Sequence, residues 1–237
     1  MGAIAAAVQA CRKRIDAACA VAGRPAGCAR LLAVGKTFPA TAIREAHAAG
    51  LTAFGESYLR EALDKLDALA DLPLEWHFIG PLQSNKTRPI AERFAWVHGV
   101  EREKIARRLS EQRPAGLPPL NVCVQINVSG EASKHGAPPR EALALARLVA
   151  ELPGLRLRGF MAIPEATPDL ATQRSRFSLP RALLEQALAE NLPVDTLSMG
   201  MSADLESAIL EGSTMVRVGS ALFGTRPYPA QEQGKTP

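Results

Sequence analysis

Short apolar runs of β-strand character alternate with longer segments of helical periodicity along most of the chain. The predicted strands are eight in number and lie at residues 31–36, 52–56, 74–80, 94–100, 120–128, 155–164, 196–200 and 215–220. The predicted helices between them lie at residues 40–49, 57–70, 85–93, 101–112, 140–151, 173–190 and 203–211. An alanine-rich helix is predicted before the first strand, at residues 4–22.

Eight strand–helix units in 237 residues predict an α/β fold, namely a single (β/α)₈ TIM barrel with an extra N-terminal helix. The alternative, a doubly wound open sheet, usually stops at about five or six strands. No linker rich in proline, glycine or serine divides the chain, so we expect one domain over residues 1–237. Its core is expected at residues 28–226, and the polar tail at 227–237 is predicted to be flexible.

Composition and charge exclude several classes of protein. Hydrophobic residues make up 47% of the chain and charged residues 22%, as in soluble globular domains. The aromatic share of 5% and the dispersed basic residues argue against a nucleic-acid partner. The net charge of +4 fits an anionic ligand and an ordinary solvated surface equally well. The sequence has neither an export signal nor the ~18 consecutive apolar residues of a membrane span, so we expect a cytoplasmic protein with no membrane partner.

The four cysteines, at positions 11, 19, 28 and 123, show neither C-x-x-C spacing nor the paired histidines of a zinc site. In a cytosolic protein such thiols are kept reduced. We therefore expect no disulfide framework and no metal site.

Lys36 is a candidate for covalent chemistry. Alternation along the first predicted strand places it on the same face as Leu32 and Val34, at the strand's C-terminal end. That is the end of a barrel where active sites lie. A lysine in an apolar mouth loses hydration, its pKa falls, and the neutral amine can form a Schiff base with an aldehyde. The alternative is a lysine that extends to solvent from a strand end.

The loops after the seventh and eighth strands are candidates for a phosphate site. In barrels these loops often bind one anion through backbone amides and a helix N-terminus. Glycines allow close approach of the backbone, and serines add hydroxyl donors. The residues concerned are Ser198, Gly200, Met201 and Ser202 after strand seven and Gly219 and Ser220 after strand eight. The alternative for Ser202 is a plain helix N-cap, assisted by Glu206.

Three polar side chains fall within predicted strands. Arg217 requires either a structural ion pair, the usual explanation, or a ligand. His77 is either a general base or, more commonly for a strand histidine, an interior group whose hydrogen bonds are satisfied within the protein. Asn127 shares a strand face with Cys123 and Gln125 and is a further polar interior candidate.

Several longer motifs resemble the pyridoxal phosphate homeostasis proteins, whose fold is like that of the N-terminal domain of alanine racemase. The motifs are GESY (55–58), WHFIGPLQSNK (76–86), QINV (125–128), SK (133–134), GFMAIP (159–164), LSMGMSAD (197–204) and GSTMVRVG (212–219). The chain departs from the family at Ser57, where asparagine is usual, and at Ala137, where an aromatic residue is usual.

The resemblance implies a barrel that holds pyridoxal 5′-phosphate (PLP), and it implies a role for each candidate residue. Lys36 resembles the residue that forms the covalent aldimine, and Arg217 the arginine that faces the pyridine nitrogen. Met161 and Asn127 resemble residues that line the pocket. The phosphate cradle corresponds to Ser198, Gly200, Met201, Ser202, Gly219 and Ser220.

The function that the resemblance implies is storage, buffering or delivery of PLP, with an effect on amino-acid and keto-acid balance and with PLP-dependent apo-enzymes as recipients. Members of the family are generally described as lacking catalysis, and a monomer is expected. The rival hypothesis is a fold-type III racemase or decarboxylase, which needs an acid–base residue on the opposite face of the cofactor. We expect no second domain after the barrel to supply one, and His77 and Tyr58 are the plausible internal substitutes.

Overall fold

The computed structural model describes residues 2–129 and 135–225. Eight parallel strands form a closed barrel in the order of the sequence, with β8 beside β1. The strands are β1 (Arg30–Val34), β2 (Ala53–Glu56), β3 (Glu75–Phe78), β4 (Trp96–Val100), β5 (Leu120–Ile126), β6 (Leu155–Ala162), β7 (Thr196–Ser198) and β8 (Met215–Val218). The prediction of a TIM barrel is confirmed. The predicted flexible tail at 227–237 and the motif at 133–134 lie outside the described residues.

Helices follow the strands and form the outer layer. They are α1 (Ala3–Val21), α2 (Ala40–Ala48), α3 (Leu59–Ala68), α4 (Thr87–Arg93), α5 (Glu103–Gln112), α6 (Pro139–Glu151), α7 (Leu170–Ala189), α8 (Leu205–Leu210) and α9 (Ser220–Phe223), with a short 3₁₀ helix at Ser84–Lys86. The predicted N-terminal helix is α1, which packs against α2, α8 and α9. It therefore closes the outer layer where the first and last units of the barrel meet.

The strands are apolar on both faces because each face packs against protein. One set of side chains fills the barrel interior, and the other packs beneath the helices. The apolar members of the interior set are Leu32, Ala53, Trp96, Cys123, Met161 and Met215. Large side chains such as Phe54 and Phe160 belong to the outer set and are fully buried. This two-sided burial explains why the strands read as nearly continuous apolar runs in the sequence.

The ends of β1 and α8 differ from the predicted ends. β1 ends at Val34, although the Gly35 N–H still donates to the Gly55 carbonyl at 3.0 Å, so Lys36 lies just past the strand ladder. α8 begins at Leu205 and its N-cap is Asp204. The Asp204 carboxylate accepts the Met201 N–H and closes a turn before the helix. The alternative of Ser202 as the N-cap is therefore wrong.

Cys19 and Cys28 form a disulfide, with their Cα atoms 6.4 Å apart. The expectation of four reduced thiols is wrong for this pair. The turn after α1 reverses the chain through Gly23 and Gly27, which have φ of 65° and 73°. Glycine adopts these left-handed values without the steric cost that other residues incur. The reversal brings together two cysteines whose spacing in the sequence matches no disulfide motif.

Within residues 2–129 and 135–225, no helix is long and apolar enough to cross a bilayer.

Candidate functional site

The sequence-predicted site residues lie at one end of the barrel, because the C-terminal ends of its parallel strands all point the same way. Lys36 follows β1, Asn127 follows β5, Met161 lies in β6, Ser198 ends β7 and is followed by Gly200, Met201 and Ser202, and Arg217 lies in β8, followed by Gly219 and Ser220. The barrel thus brings together residues that are separated by up to most of the chain length.

The backbone on both sides of half-buried Lys36 is tied to α3. The Gly35 carbonyl accepts from Lys65 Nζ at 2.7 Å. The Thr37 N–H donates to Glu61 Oε1 at 2.6 Å, and Lys65 Nζ also contacts this oxygen. Thr37 has a φ of 69°, a left-handed conformation that is rare for a β-branched residue. The two flanking hydrogen bonds hold that unusual conformation and thereby fix the point from which the Lys36 side chain leaves the backbone.

Glu56 ends β2 and is fully buried beside this segment. Its Oε1 accepts from Lys65 Nζ at 2.9 Å, whereas its Oε2 has no hydrogen-bond partner among the described residues. Burial raises the pKa of this carboxyl to about 7, although the positive charges of Lys65 and Lys36 oppose the shift. Glu56 therefore lies within electrostatic reach of Lys36. Sequence reasoning had Glu56 only as part of the GESY motif, with no role assigned to it, and missed Lys65. The spacing of four residues between Glu61 and Lys65 on a helix was a further signal.

Arg217 lies inside the barrel with 4% of its surface exposed. Its Nη1 donates to Ser198 Oγ at 2.8 Å and also to the Ser198 carbonyl, and its Nη2 donates to the Ala162 carbonyl at 2.9 Å. Loss of hydration lowers the pKa of Arg217 to about 10, which still leaves it protonated near neutral pH. In the described part of the chain no carboxylate lies within ion-pair distance of Arg217, so carbonyls and a hydroxyl, rather than an ion pair, compensate its burial.

His77 is fully buried in β3 and both of its ring nitrogens are engaged. Nε2 lies 2.8 Å from Glu75 Oε1, and Nδ1 lies 2.9 Å from His98 Nε2. Of the two interpretations of His77, general base or interior group, the structure matches an interior group whose hydrogen bonds are satisfied within the protein. A general base would need a ring nitrogen that can reach substrate. His98, one strand further along the barrel, was missed by sequence reasoning.

The loops after β7 and β8 bring two hydroxyls together at the mouth of the barrel. Ser202 Oγ and Ser220 Oγ lie 3.4 Å apart, and Ser220 is exposed. Ser220 is the first residue of α9, where the first amides of a helix have no carbonyl partner within the helix. Gly200 has a φ of 93°, and a Cβ there would lie 2.6 Å from the Ala208 Cβ. Glycine is thus required for the close approach of this loop to α8.

Arg14 of α1 braces the loop after β7. Its guanidinium donates to the Ser202 carbonyl at 3.1 Å and pairs with Glu206 at 2.8 Å. Glu206 is therefore engaged by α1 and does not form a capping box with Ser202. The sequence offered no signal for this contact, because it joins the two ends of the chain.

The two predicted lining residues differ in accessibility. Asn127 is half-buried and its backbone N–H donates to the Ala137 carbonyl at 3.0 Å. Met161 is fully buried in the barrel interior and lies beside Ser198 in the register between β6 and β7. Across the described residues, no group of three or more His, Cys, Asp or Glu side chains could hold a metal ion.

Comparison with known proteins identifies the family to which the chain belongs. The sequence model of the alanine racemase N-terminal domain matches residues 7–227. The pyridoxal phosphate homeostasis protein of Pseudomonas aeruginosa is 65% identical over 217 residues, which cover 92% of this chain and 93% of that protein. The protein of the same name from Escherichia coli is 52% identical over 223 residues, with coverage of 92% and 94%.

Solved structures agree with these relatives. PipY of Synechococcus elongatus with PLP bound has a TM-score of 0.81 and 35% identity, and the match covers 93% of this chain and 100% of PipY. Alanine racemase of Corynebacterium glutamicum has a TM-score of 0.69 at 20% identity, covering 98% of this chain and 63% of the racemase, and shares the fold. The chain therefore belongs to the family of the alanine racemase N-terminal domain, among the members named pyridoxal phosphate homeostasis proteins.

Proposed function

We propose that this chain binds PLP at the C-terminal end of the barrel and acts in PLP homeostasis, by storing, buffering or delivering the cofactor. Through the supply of PLP it would influence amino-acid and keto-acid balance. Relatives that match over nine-tenths of the chain carry this name, and a structure of PipY, 35% identical, has PLP bound.

The observation that carries the proposal is the set of donors at the barrel mouth. PLP presents an aldehyde, a phosphate and a pyridine nitrogen. The site offers a lysine amine at Lys36, hydroxyls at Ser202 and Ser220, and the buried donor-only guanidinium of Arg217. One end of one barrel thus supplies a group for each functional part of PLP. When bound, PLP supplies an electrophilic carbon and an electron-withdrawing ring.

Lys36 is proposed as the residue whose amine would condense with the aldehyde of PLP, with the aldehyde oxygen leaving as water. A lysine must lose its proton before its nitrogen can attack a carbonyl carbon. Glu56, whose pKa burial raises to about 7, is a nearby carboxyl able to exchange a proton near neutral pH. The hydrogen bonds from Lys65 to the Gly35 carbonyl and from the Thr37 N–H to Glu61 fix the backbone position of Lys36.

The phosphate is proposed to lie between the loops after β7 and β8. Ser202 and Ser220 donate their hydroxyls, and the amides of Ser220 and Ala221 add backbone donors, since those of Leu222 and Phe223 already donate to the Gly219 carbonyl. Gly200 lets the loop after β7 approach α8 closely, the Met201 N–H is held by the Asp204 carboxylate, and Gly219 is the N-cap of α9. Charge-assisted hydrogen bonds to a phosphate are stronger than neutral ones. Ser198 acts differently, because its hydroxyl is engaged by Arg217 inside the barrel.

We propose that the protein catalyses little, in contrast to a fold-type III racemase or decarboxylase. Arg217 is donor-only, so a pyridine nitrogen that it faces stays unprotonated and the ring withdraws electrons weakly. Fast turnover would then require a well-placed acid–base pair. Of the two internal substitutes suggested by the sequence, His77 is engaged on both ring nitrogens within the barrel, which leaves Tyr58.

We further propose that the protein works as a monomer in the cytoplasm and passes PLP to PLP-dependent apo-enzymes. Each group assigned to PLP above comes from one chain, so the site does not need a second copy.

The test measures whether the protein retains PLP and whether it transfers PLP to an apo-enzyme. Purified protein incubated with PLP and then desalted should keep a yellow chromophore. When mixed with an apo-enzyme that depends on PLP, it should restore that enzyme's activity. A protein that loses all PLP on desalting would contradict the binding site. A protein that keeps PLP and turns over common amino acids at about 1–10³ s⁻¹ would favour the racemase or decarboxylase hypothesis.

A further inference from the structure

A chain of hydrogen bonds crosses the interior of the barrel from Glu75 to Arg217. Glu75 Oε1 lies 2.8 Å from His77 Nε2. His77 Nδ1 lies 2.9 Å from His98 Nε2, and His98 Nδ1 lies 2.8 Å from Ser198 Oγ. The chain ends where Ser198 Oγ meets Arg217 Nη1, also at 2.8 Å. Four strands, β3, β4, β7 and β8, each contribute to it.

Glu75 and Arg217, at the two ends of this hydrogen-bond chain, fix the direction of every hydrogen bond in it when both histidines are neutral. The Glu75 carboxylate can only accept, so a neutral His77 carries its proton on Nε2 and donates to that carboxylate, which leaves His77 Nδ1 as an acceptor. A neutral His98 then carries its proton on Nε2 and donates to His77 Nδ1, so His98 Nδ1 accepts the hydroxyl hydrogen of Ser198. Arg217 can only donate, and Ser198 Oγ accepts from it. The opposite tautomers would set a bare ring nitrogen against a carboxylate oxygen.

The charges along the chain agree with this direction. Burial lowers the pKa of both histidines, so both imidazoles are neutral near neutral pH. The hydrogen bond from His77 lowers the pKa of Glu75 to about 2 and keeps it ionised. The Glu75 carboxylate also pairs with Arg30 at 2.6 Å. Glu75 and Arg30 are the first residues of β3 and β1, so this end of the chain lies at the barrel face opposite the site.

Packing holds the histidines in place. His77 stacks on Trp96, with ring centroids 5.2 Å apart and planes 10° apart. Both histidines are fully buried. Arg217 already donates to the Ser198 and Ala162 carbonyls, so the Ser198 hydroxyl is an additional partner rather than its sole compensation for burial. The hydrogen-bond chain adds a fixed orientation of the Ser198 hydroxyl, and this in turn orients the N–H of Arg217 Nη1 that donates to it.

We propose that His77 and His98 are positioning residues for Arg217: they orient the Ser198 hydroxyl so that its lone pair faces Nη1 and keeps the guanidinium aimed at the ring nitrogen of PLP. This rests on the proposed function, in which Arg217 faces that nitrogen. Neither histidine contacts the cofactor itself. The hydrogen-bond chain connects the Glu75–Arg30 ion pair at the opposite face of the barrel to the cofactor site.

The first test needs no cofactor. NMR of the unliganded protein with nitrogen-labelled histidine should show His77 and His98 as neutral Nε2–H tautomers near neutral pH. A proton on Nδ1 of His98, or a charged imidazolium at either residue, would overturn the proposal. Because PLP is not involved, failure here is distinguishable from failure of the proposed function, which would show as loss of PLP by the unmodified protein.

The second test compares PLP with its carbocyclic analogue, in which carbon replaces the ring nitrogen. His98→Phe should reduce the preference for PLP over the analogue by about 5- to 20-fold, as expected for loss of a well-aimed hydrogen bond. His98→Asn, whose amide oxygen can accept from Ser198, should recover most of that preference. His47→Phe is the control, since His47 lies on α2 and bonds the Leu51 carbonyl.

Equal weakening of both ligands would show a merely structural role and overturn the proposal. Ser198→Ala removes only the hydroxyl and serves if His98→Phe does not fold. It should reduce the same preference, and an unchanged preference in this variant would also overturn the proposal.

Discussion

The guanidinium of Arg217 meets the hydroxyl of Ser198 inside the barrel, with Nη1 2.8 Å from Oγ. Arg217 is the third residue of β8 and Ser198 the last residue of β7, so the contact bridges neighbouring strands. It joins a fully charged donor to a hydroxyl whose own proton is directed to His98. The contact thus helps to compensate the burial of the Arg217 charge, and it is the last hydrogen bond of the chain of hydrogen bonds that crosses the barrel.

Arg217→Lys should destabilise the unliganded protein by about 1–3 kcal/mol. A single ammonium cannot reproduce the planar fork that reaches Ser198 and the Ala162 carbonyl together. Urea unfolding followed by circular dichroism measures the effect. Arg107→Lys is the matched control, because Arg107 is exposed on α5 and pairs with Glu103. Equal stability of the two variants would show that the fork geometry contributes little.

Replacing Ser202 and Ser220 together by alanine should weaken PLP far more than pyridoxal, which lacks the phosphate. Each hydrogen bond to a charged group contributes about 1.5–3 kcal/mol. Titration of each ligand by absorbance gives the two affinities. Ser178→Ala, an exposed serine on α7, is the control. If both ligands weakened equally, the loops after β7 and β8 would not be the phosphate site.

Glu56→Gln should become more stable relative to the unmodified protein as pH rises. The folded-state pKa of Glu56 is raised to about 7, above its ordinary value of 4.5. A raised carboxyl pKa contributes stability that is present below 4.5 and lost as pH rises through about 7. Glutamine stays neutral and lacks this loss. Urea unfolding at several pH values across that window measures the difference.

A constant difference between the two proteins across the window would contradict the raised pKa of Glu56. Glu185→Gln is the control, because Glu185 is exposed and pairs with Arg181 at the surface.

Peptide mapping without reductant should recover Cys19 joined to Cys28. Cys11 and Cys123 are buried, and burial raises the pKa of the Cys123 thiol to about 12 and also that of Cys11. Both should resist alkylation in the native protein and react after unfolding. Reduction of the disulfide should cost about 2–3 kcal/mol of stability through loop entropy. Recovery of four alkylated cysteines after unfolding without reductant would contradict the pairing.

The sequence was sufficient to predict the fold because the strands are largely buried on both faces and helical segments alternate with them. The position of Lys36 and of the candidate serines at one end of the barrel could be predicted, because the C-terminal ends of parallel strands lie together whatever their separation along the sequence. These predictions depend on position within a single strand–helix unit.

Several contacts that could not be predicted from the sequence depend on closure of the barrel. His98 and Ser198 are a hundred positions apart and meet only across the interior. Arg14 finds Ser202 through packing of the first helix on the last units. The error at Ser202 has a local cause, because Asp204 competes for the cap and closes a turn first. Periodicity carries no information about such contacts.

Borohydride reduction of the PLP-loaded protein, followed by peptide mapping, tests directly whether Lys36 binds PLP covalently. We expect a phosphopyridoxyl group on the peptide that contains Lys36, and its absence from that peptide in Lys36→Ala. An adduct on Lys86 or Lys134 in the unmodified protein, with Lys36 left unlabelled, would show that Lys36 is not the residue that binds PLP.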